Sequence, residues 1–128
     1  MKISQREIEL LKREKYKGKL SEEVGSRVTS SNFARDLARL EAGEPLDYVI
    51  GWREFLGCKI DLSAKPLIPR EETEFWVEKA IKNTDDSRMY FVLDLFSGSG
   101  CIGLAVLKHI PNAKVTFGDL YPVNKQTI

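Results

Sequence analysis

The residues best suited to chemistry lie in one stretch, FVLDLFSGSGCIGLAV, residues Phe91–Val106. Gly98, Gly100 and Gly103 fall at the spacing G-x-G-x-x-G behind an apolar run. Between a strand and a helix, that spacing makes a loop whose backbone a nucleotide can approach closely. Asp94 sits four residues before the first glycine, and Asp119 sits 21 residues after it. In open parallel sheets, ligands bind beyond the carboxyl ends of the strands, where both acids fall. An acid at the position of Asp119 suits the two hydroxyls of a ribose.

Asp94 separates the candidate ligands. A carboxylate beside a pyrophosphate is repelled in a low-dielectric crevice. Asp94-Leu95-Phe96-Ser97 also intervenes where a dinucleotide loop places its first glycine. A nucleoside cofactor with a cationic end and no phosphate agrees with both acids, and S-adenosylmethionine is such a molecule. The competing readings are a dinucleotide oxidoreductase and a tight turn that binds nothing.

These residues need a strand before them and a helix behind. Met89–Leu93 is a continuous apolar run, expected as a strand buried on both faces. Cys101–Leu107 is apolar nearly all round, as for a helix packed on a sheet, and His109 at its end suits the helix dipole. Lys114–Asp119 reads as a second strand and Tyr121–Asn124 as the start of another helix. The order strand–helix–strand implies parallel pairing.

Residues 1–50 read as a small helical module. Ser4 with Glu7 is a capping box that opens a helix over about 4–17, ended near Gly18. Ser21–Val24 suggests a short helical turn. Ser31-Asn32 is expected to cap the next helix, with Phe33, Leu37 and Leu40 on one face and Gly43 as its left-handed end. Pro45 is placed in the first turn of a helix whose Leu46, Val49 and Ile50 pack inward before Gly51. Trp52–Leu56 and Cys58–Leu62 then read as a β-hairpin joined at Gly57, and Lys65–Pro69 as extended chain. Arg70–Glu74 opens a helix with acids in its first turn and a stripe of Thr73, Val77, Ala80 and Ile81. Asn83–Ser87 is a polar loop.

At 128 residues, 42% hydrophobic and 30% charged, the composition is that of a globular protein of one domain, or of one module and part of another. The apolar runs are too short for a bilayer, and the start lacks the core of a signal peptide, so a cytoplasmic location is expected, or an organellar matrix in a eukaryote. Cys58 and Cys101 have no metal-type spacing and are expected as buried free thiols, with no metal site. A net charge of +1 gives no polyelectrolyte signal, so no direct nucleic-acid partner is expected. Residues 1–40 carry +4 and residues 41–80 carry −4. The amino-terminal excess suits an acidic partner or a solvated helix face.

Two motifs carry a resemblance to known families. Asp94–Gly100, DLFSGSG, is similar to motif I of Rossmann-type methyltransferases. Gly51-Trp52-Arg53-Glu54-Phe55, followed by LIPREETE at Leu67–Glu74, resembles the HemK/PrmC family of release factor glutamine methyltransferases. Its members share a helical bundle, a hairpin linker with a G-x-x-x-F segment, an I-P-R-x-x-T-E motif and a methyltransferase domain. The resemblance covers about residue 33 to the end.

It implies an α/β chain in three parts: a helical substrate-recognition module at 1–50, a β-hairpin linker at 51–69, and at 70–128 the first β-α-β part of a Rossmann-like class I S-adenosylmethionine-dependent methyltransferase domain. It implies that Phe96, Ser97, Gly98, Ser99 and Gly100 line the methionine part of the cofactor and that Asp119 binds the ribose. Arg70, Thr73 and Glu74 would form part of the active-site wall. Phe117 or Leu120 could flank the adenine, or belong to the core. The implied substrate is a glutamine side-chain amide of a peptide chain release factor, recognised by the helical module. The family's Asn-Pro-Pro-Tyr motif, which holds that amide, does not occur in the 128 residues. No catalytic residue is therefore assigned, and this chain alone is expected to be inactive. An adenine-specific nucleic-acid methyltransferase and a non-catalytic truncated binding module are alternatives; the linker and the I-P-R-x-x-T-E motif argue against the former.

Overall fold

The computed structural model describes residues 2–17 and 27–120. The chain divides into two compact units, Met1–Gly51 and Trp52–Ile128.

In the first unit, helix α1 (Gln5–Leu11) opens on the capping box. Glu7 donates its N–H to Ser4 Oγ at 3.2 Å, and Glu7 Oε2 accepts the Ser4 N–H at 2.8 Å. The helix does not continue regularly to residue 17. Lys12–Tyr16 form a π turn that stops at Lys17, where φ is +43°. The expected stop at Gly18 and the turn at Ser21–Val24 lie outside the described residues. Helix α2 (Arg27–Glu41) begins earlier than expected, so Ser31 and Asn32 lie inside it and not at its cap. Phe33, Leu37 and Leu40 pack into the core behind them, and that burial outweighs the weak helix propensity of Ser and Asn. Gly43, at φ +88°, ends the helix by donating to the Leu40 carbonyl at 2.9 Å. Helix α3 (Leu46–Ile50) follows, with Pro45 as its cap rather than in its first turn, and Gly51 at φ +93° closes it.

Leu11, Tyr16, Leu40 and Val49 form the core of this unit, flanked by Ile3, Leu46 and Ile50. The Tyr16 ring meets Phe33 edge-on, with centroids 5.4 Å apart. Asp36 is fully buried among them. Tyr16 Oη donates to it at 2.7 Å, and Lys15 Nζ and Arg39 Nη1 lie 2.6 and 3.2 Å from its oxygens. The π turn thus supplies two of the three partners of this carboxylate among the described residues.

In the second unit, β1 (Trp52–Phe55) and β2 (Cys58–Asp61) pair antiparallel, Trp52 opposite Asp61 and Phe55 opposite Cys58. The turn residues Leu56 and Gly57 have φ of +46° and +74°. A two-residue hairpin loop requires this hand, because it matches the strand twist. Lys65 has φ +54°, so the extended segment starts at Pro66 and not at Lys65. Helix α4 (Glu71–Lys82) carries Glu71, Glu72 and Glu74 in its first turn and Lys79 and Lys82 in its last, matching both ends of the dipole. Val77 is buried and Thr73 and Ile81 are half-buried, but Ala80 is exposed, so the apolar stripe is narrower than expected.

Strand β3 (Tyr90–Leu95), helix α5 (Cys101–His109) and strand β4 (Ala113–Gly118) follow, with β3 and β4 parallel. The expectation that the apolar run is buried on both faces is corrected. Phe91, Leu93 and Leu95 are exposed, while Val92 is half-buried and Asp94 buried. Helix α5 covers one face only: a Cβ on Gly103 would lie 2.2 Å from the Phe117 ring. An apolar run gives a strand's preference for burial, not the number of elements that pack on it. Cys101 is buried as expected, whereas Cys58 is only half-buried because it lies beside the hairpin turn; both are free. The expected helix at Tyr121–Asn124 lies outside the described residues. No helix among the described residues is long and apolar enough to cross a membrane.

Candidate cofactor site at the glycine loop

The parallel register sets Asp94 beside Phe117 and Leu95 beside Gly118, so Asp119 follows the last paired residue of β4. The pairing continues one step into the loop, where the Ser97 N–H donates to the Gly118 carbonyl at 3.1 Å. The chain then turns back on itself. Phe96, Gly98 and Gly100 all have positive φ, at 56°, 54° and 74°. Gly100 donates to the Ser97 carbonyl at 2.7 Å and starts α5 by accepting the Leu104 N–H. Asp119 Oδ2 accepts the Gly98 N–H at 2.7 Å, tying the end of β4 to the loop.

Asp94 faces the helix. Its Oδ2 accepts the N–H of Gly103 at 3.0 Å, so a strand residue caps the first turn of α5. Burial pushes its carboxyl above the ordinary range; the Gly103 bond partly opposes this, and the negative charge of Asp119 adds to it. The structure therefore joins Asp94, Phe96–Gly100 and Asp119 at one end of the parallel pair. Ser97 and Ser99 are buried there, and the Ser97 hydroxyl has no hydrogen-bond partner among the described residues. A Cβ on Gly98 would meet nothing closer than 3.9 Å. Every charged side chain of this group is acidic. An orphan hydroxyl, open space at a glycine and two carboxylates fit a ligand that carries hydroxyls and a positive end.

The third glycine has a different role. A Cβ on Gly103 would also lie 2.9 Å from Val115, so it is a helix–sheet packing position. Phe117 lies under that contact, whereas Leu120 is 83% exposed.

Arg70, Thr73 and Glu74 stand elsewhere, at the start of α4. Arg70 is exposed at the cap position and Thr73 is half-buried. Glu74 Oε1 accepts the Leu56 N–H of the hairpin turn at 2.7 Å. From α5, His109 Nε2 donates to the Leu56 carbonyl at 2.7 Å, and Lys108 Nζ donates to the Gly57 carbonyl. The carbonyl can only accept, which fixes the proton on Nε2. This clasp of the hairpin was not readable from Glu74, Lys108 or His109 alone. The sequence signal was the Leu56-Gly57 turn, whose backbone groups have no partner within a two-stranded ribbon's tip. Among the described residues, no cluster of three or more His, Cys, Asp or Glu could hold a metal ion.

No protein-family model matches the chain. Curated relatives do. The "Release factor glutamine methyltransferase" of Moorella thermoacetica is 32% identical over 112 residues, which is 88% of this chain and 39% of the relative. The protein of the same name from Bordetella pertussis is 45% identical over 83 residues, 65% of this chain and 31% of the relative. That of Chlamydia trachomatis serovar L2 is 42% identical over 82 residues, 61% of this chain and 27% of the relative. The chain thus spans about a third of the length of the curated relatives it matches. With its glycine loop, its hairpin and these matches, the chain belongs to the HemK/PrmC family of release factor glutamine methyltransferases.

Proposed function

We propose that this chain supplies the cofactor end of an S-adenosylmethionine-dependent protein-glutamine methyltransferase. The observation that carries the reading is that Asp94 and Asp119, the charged side chains bonded to the glycine-loop turn among the described residues, are both acidic. Asp119 would accept hydrogen bonds from the ribose hydroxyls. Gly98 and Gly100 would let the backbone approach the methionine part, and the buried Ser97 hydroxyl would gain a partner. Asp94 would favour the positive end. The cofactor, when bound, supplies a methyl group on a sulfonium; the chain's own contribution is to hold and orient it. A Rossmann-like continuation of the β3–α5–β4 unit is part of the same reading.

The substrate would be a glutamine amide of a peptide chain release factor, with the helical unit as its recognition surface and Arg70 and Thr73 on the wall of the active site. Glu74 would support that wall through the hairpin. The Asn-Pro-Pro-Tyr run that would hold the amide is not in the 128 residues, so cofactor binding without methyl transfer is expected of this chain. Calorimetric titration with S-adenosylmethionine and with NAD tests the reading. Binding of the first and not the second is expected; binding of NAD, or of neither, would overturn it.

A further inference from the structure

The tip of the hairpin is held from two helices at once. Leu56 is a bulky residue at φ +46°, in the first position of a turn that favours Asn, Asp or Gly there. Such strain persists where the surroundings over-determine the conformation. Here both backbone groups of Leu56 are bound by side chains. Glu74 Oε1 of α4 accepts its N–H at 2.7 Å, and His109 Nε2 of α5 donates to its carbonyl at 2.7 Å. Lys108, also on α5, donates to the next carbonyl, that of Gly57. Gly57 makes room for that approach, since a Cβ there would lie 3.1 Å from Lys108 Nζ. Below the tip, Phe55, Ile60 and Leu62 are buried, and β2 packs on α5. The hairpin is thus fastened to α4 and α5 by bonds as well as by packing.

Helix α5 extends the reach of this clasp. Its first turn is capped by Asp94, which accepts the Gly103 N–H at 3.0 Å behind the glycine loop, and its last turn carries Lys108 and His109. A helix of this length spans about 13 Å. Hydrogen-bonded along its length and packed on the sheet, it moves as one body, so a displacement at the loop is passed to the hairpin tip. Glu74 lies in the first turn of α4, beside Arg70 and Thr73. The Leu56 peptide groups therefore stand between the helix behind the loop and the helix start that would carry the active-site wall.

We propose that His109 is a positioning residue: through the Leu56 carbonyl it locks the start of α4 to α5, so that the glycine loop and the Arg70–Thr73 segment respond to a bound cofactor as one body. The inference rests on the S-adenosylmethionine reading and adds to it a link between the cofactor end and the substrate wall. Two amides report on the two ends of α5: the Gly103 N–H, bonded to Asp94, and the Leu56 N–H, bonded to Glu74. Their hydrogen exchange is followed by NMR in the 128-residue chain, free and with excess S-adenosylmethionine. Wild type, His109→Ala and His109→Gln are compared, with the thermal unfolding midpoint of each. In wild type the ligand should slow both amides, by factors that agree within about threefold. His109→Ala should speed exchange at Leu56 about five- to tenfold, the worth of one hydrogen bond, and remove the ligand's effect there. Gly103 in the free chain should stay within about twofold of wild type, because its own bond is intact. His109→Gln can donate its amide N–H to the same carbonyl, so it should restore both the slow exchange and the ligand's effect at Leu56. A residue that only added stability would speed both amides together and lower the midpoint. Unchanged exchange at Leu56 in His109→Ala, equal acceleration of the two amides, or no recovery in His109→Gln would overturn the inference and leave the cofactor reading standing. So would a ligand that slows Gly103 and not Leu56 in wild type. A ligand that slows neither would overturn both.

Discussion

Asp36 in the helical unit and Asp94 in the α/β unit are both buried carboxylates, and their surroundings are opposite. Asp36 has two cations and a tyrosine hydroxyl within hydrogen-bonding distance. Burial alone would push its carboxyl up, yet the bonds from Lys15 and Tyr16, with the charges beside them, hold it below the ordinary range. Asp94 has a backbone N–H on one side and the like charge of Asp119 on the other, and its carboxyl is pushed up. The first acid is neutralised by its own unit and reads as structure. Among the described residues no cation pairs with the second, which favours the proposed cationic ligand.

The sharpest way to break this contrast is to remove each acid's setting. Asp36→Ala leaves Lys15, Arg39 and Tyr16 without their common acceptor. Breaking a buried pair can cost about 3–5 kcal/mol, but Lys15 and Arg39 keep 32% of their side-chain surface in water and can rehydrate, so about 2–4 kcal/mol is expected from urea unfolding. Gly103→Ala comes next. Its methyl would meet Phe117 and Val115 and push α5 off the sheet, costing about 1–3 kcal/mol and loosening the bond that caps Asp94. Its unfolding midpoint and its affinity for S-adenosylmethionine should fall together.

The pH profiles should run in opposite senses. The folded pKa of Asp36 is depressed, so its contribution is present above its unfolded value near 3.8 and is lost as pH falls below it. The folded pKa of Asp94 is raised, so ionisation opposes folding, and its penalty is relieved as pH falls through the folded value towards 3.8. Thermal unfolding midpoints from pH 7 to pH 3 in wild type, Asp36→Asn and Asp94→Asn test this. The first variant should flatten the profile below 3.8 and the second above it. The smallest effect is expected at the hairpin clasp. Glu74→Gln keeps an acceptor for the Leu56 N–H and should change stability by less than about 0.5 kcal/mol, whereas Glu74→Ala should cost about 1 kcal/mol by urea unfolding.

What was legible in the sequence was local. The capping box at Ser4, the left-handed end at Gly43, the hairpin joined at Gly57 and the strand–loop–helix around Gly98 all depend on a few adjacent residues. What was not legible depends on distant cover. Ser31 and Asn32 look like caps, but burial of Phe33 and Leu37 carries the helix past them. Leu93 looks like a doubly buried strand residue, yet only one face of β3 is covered. The π turn at Lys12–Tyr16 has no local signature, because its reason is the arrival of Lys15 and Tyr16 at Asp36. At the site, the spacing brought Asp94 and Asp119 to the loop but did not show that Asp94 also caps α5. That bond joins residues nine apart across a turn whose shape sequence alone does not give.

On the proposed reading, Asp94 is charged for the sake of a cationic ligand and not only for the helix it caps. Titration of wild type and Asp94→Asn with S-adenosylmethionine between pH 7 and pH 4 tests it directly. Asparagine can still accept the Gly103 N–H, so the cap survives in the variant. Asp94→Asn should be at least as stable as wild type at pH 7 and bind about tenfold or more weakly, roughly the worth of one nearby charge. Wild-type affinity should fall on acidification through the raised pKa of Asp94, a fall the variant should show less of. An Asp94→Asn chain that binds as tightly as wild type, with the same pH dependence, would contradict it.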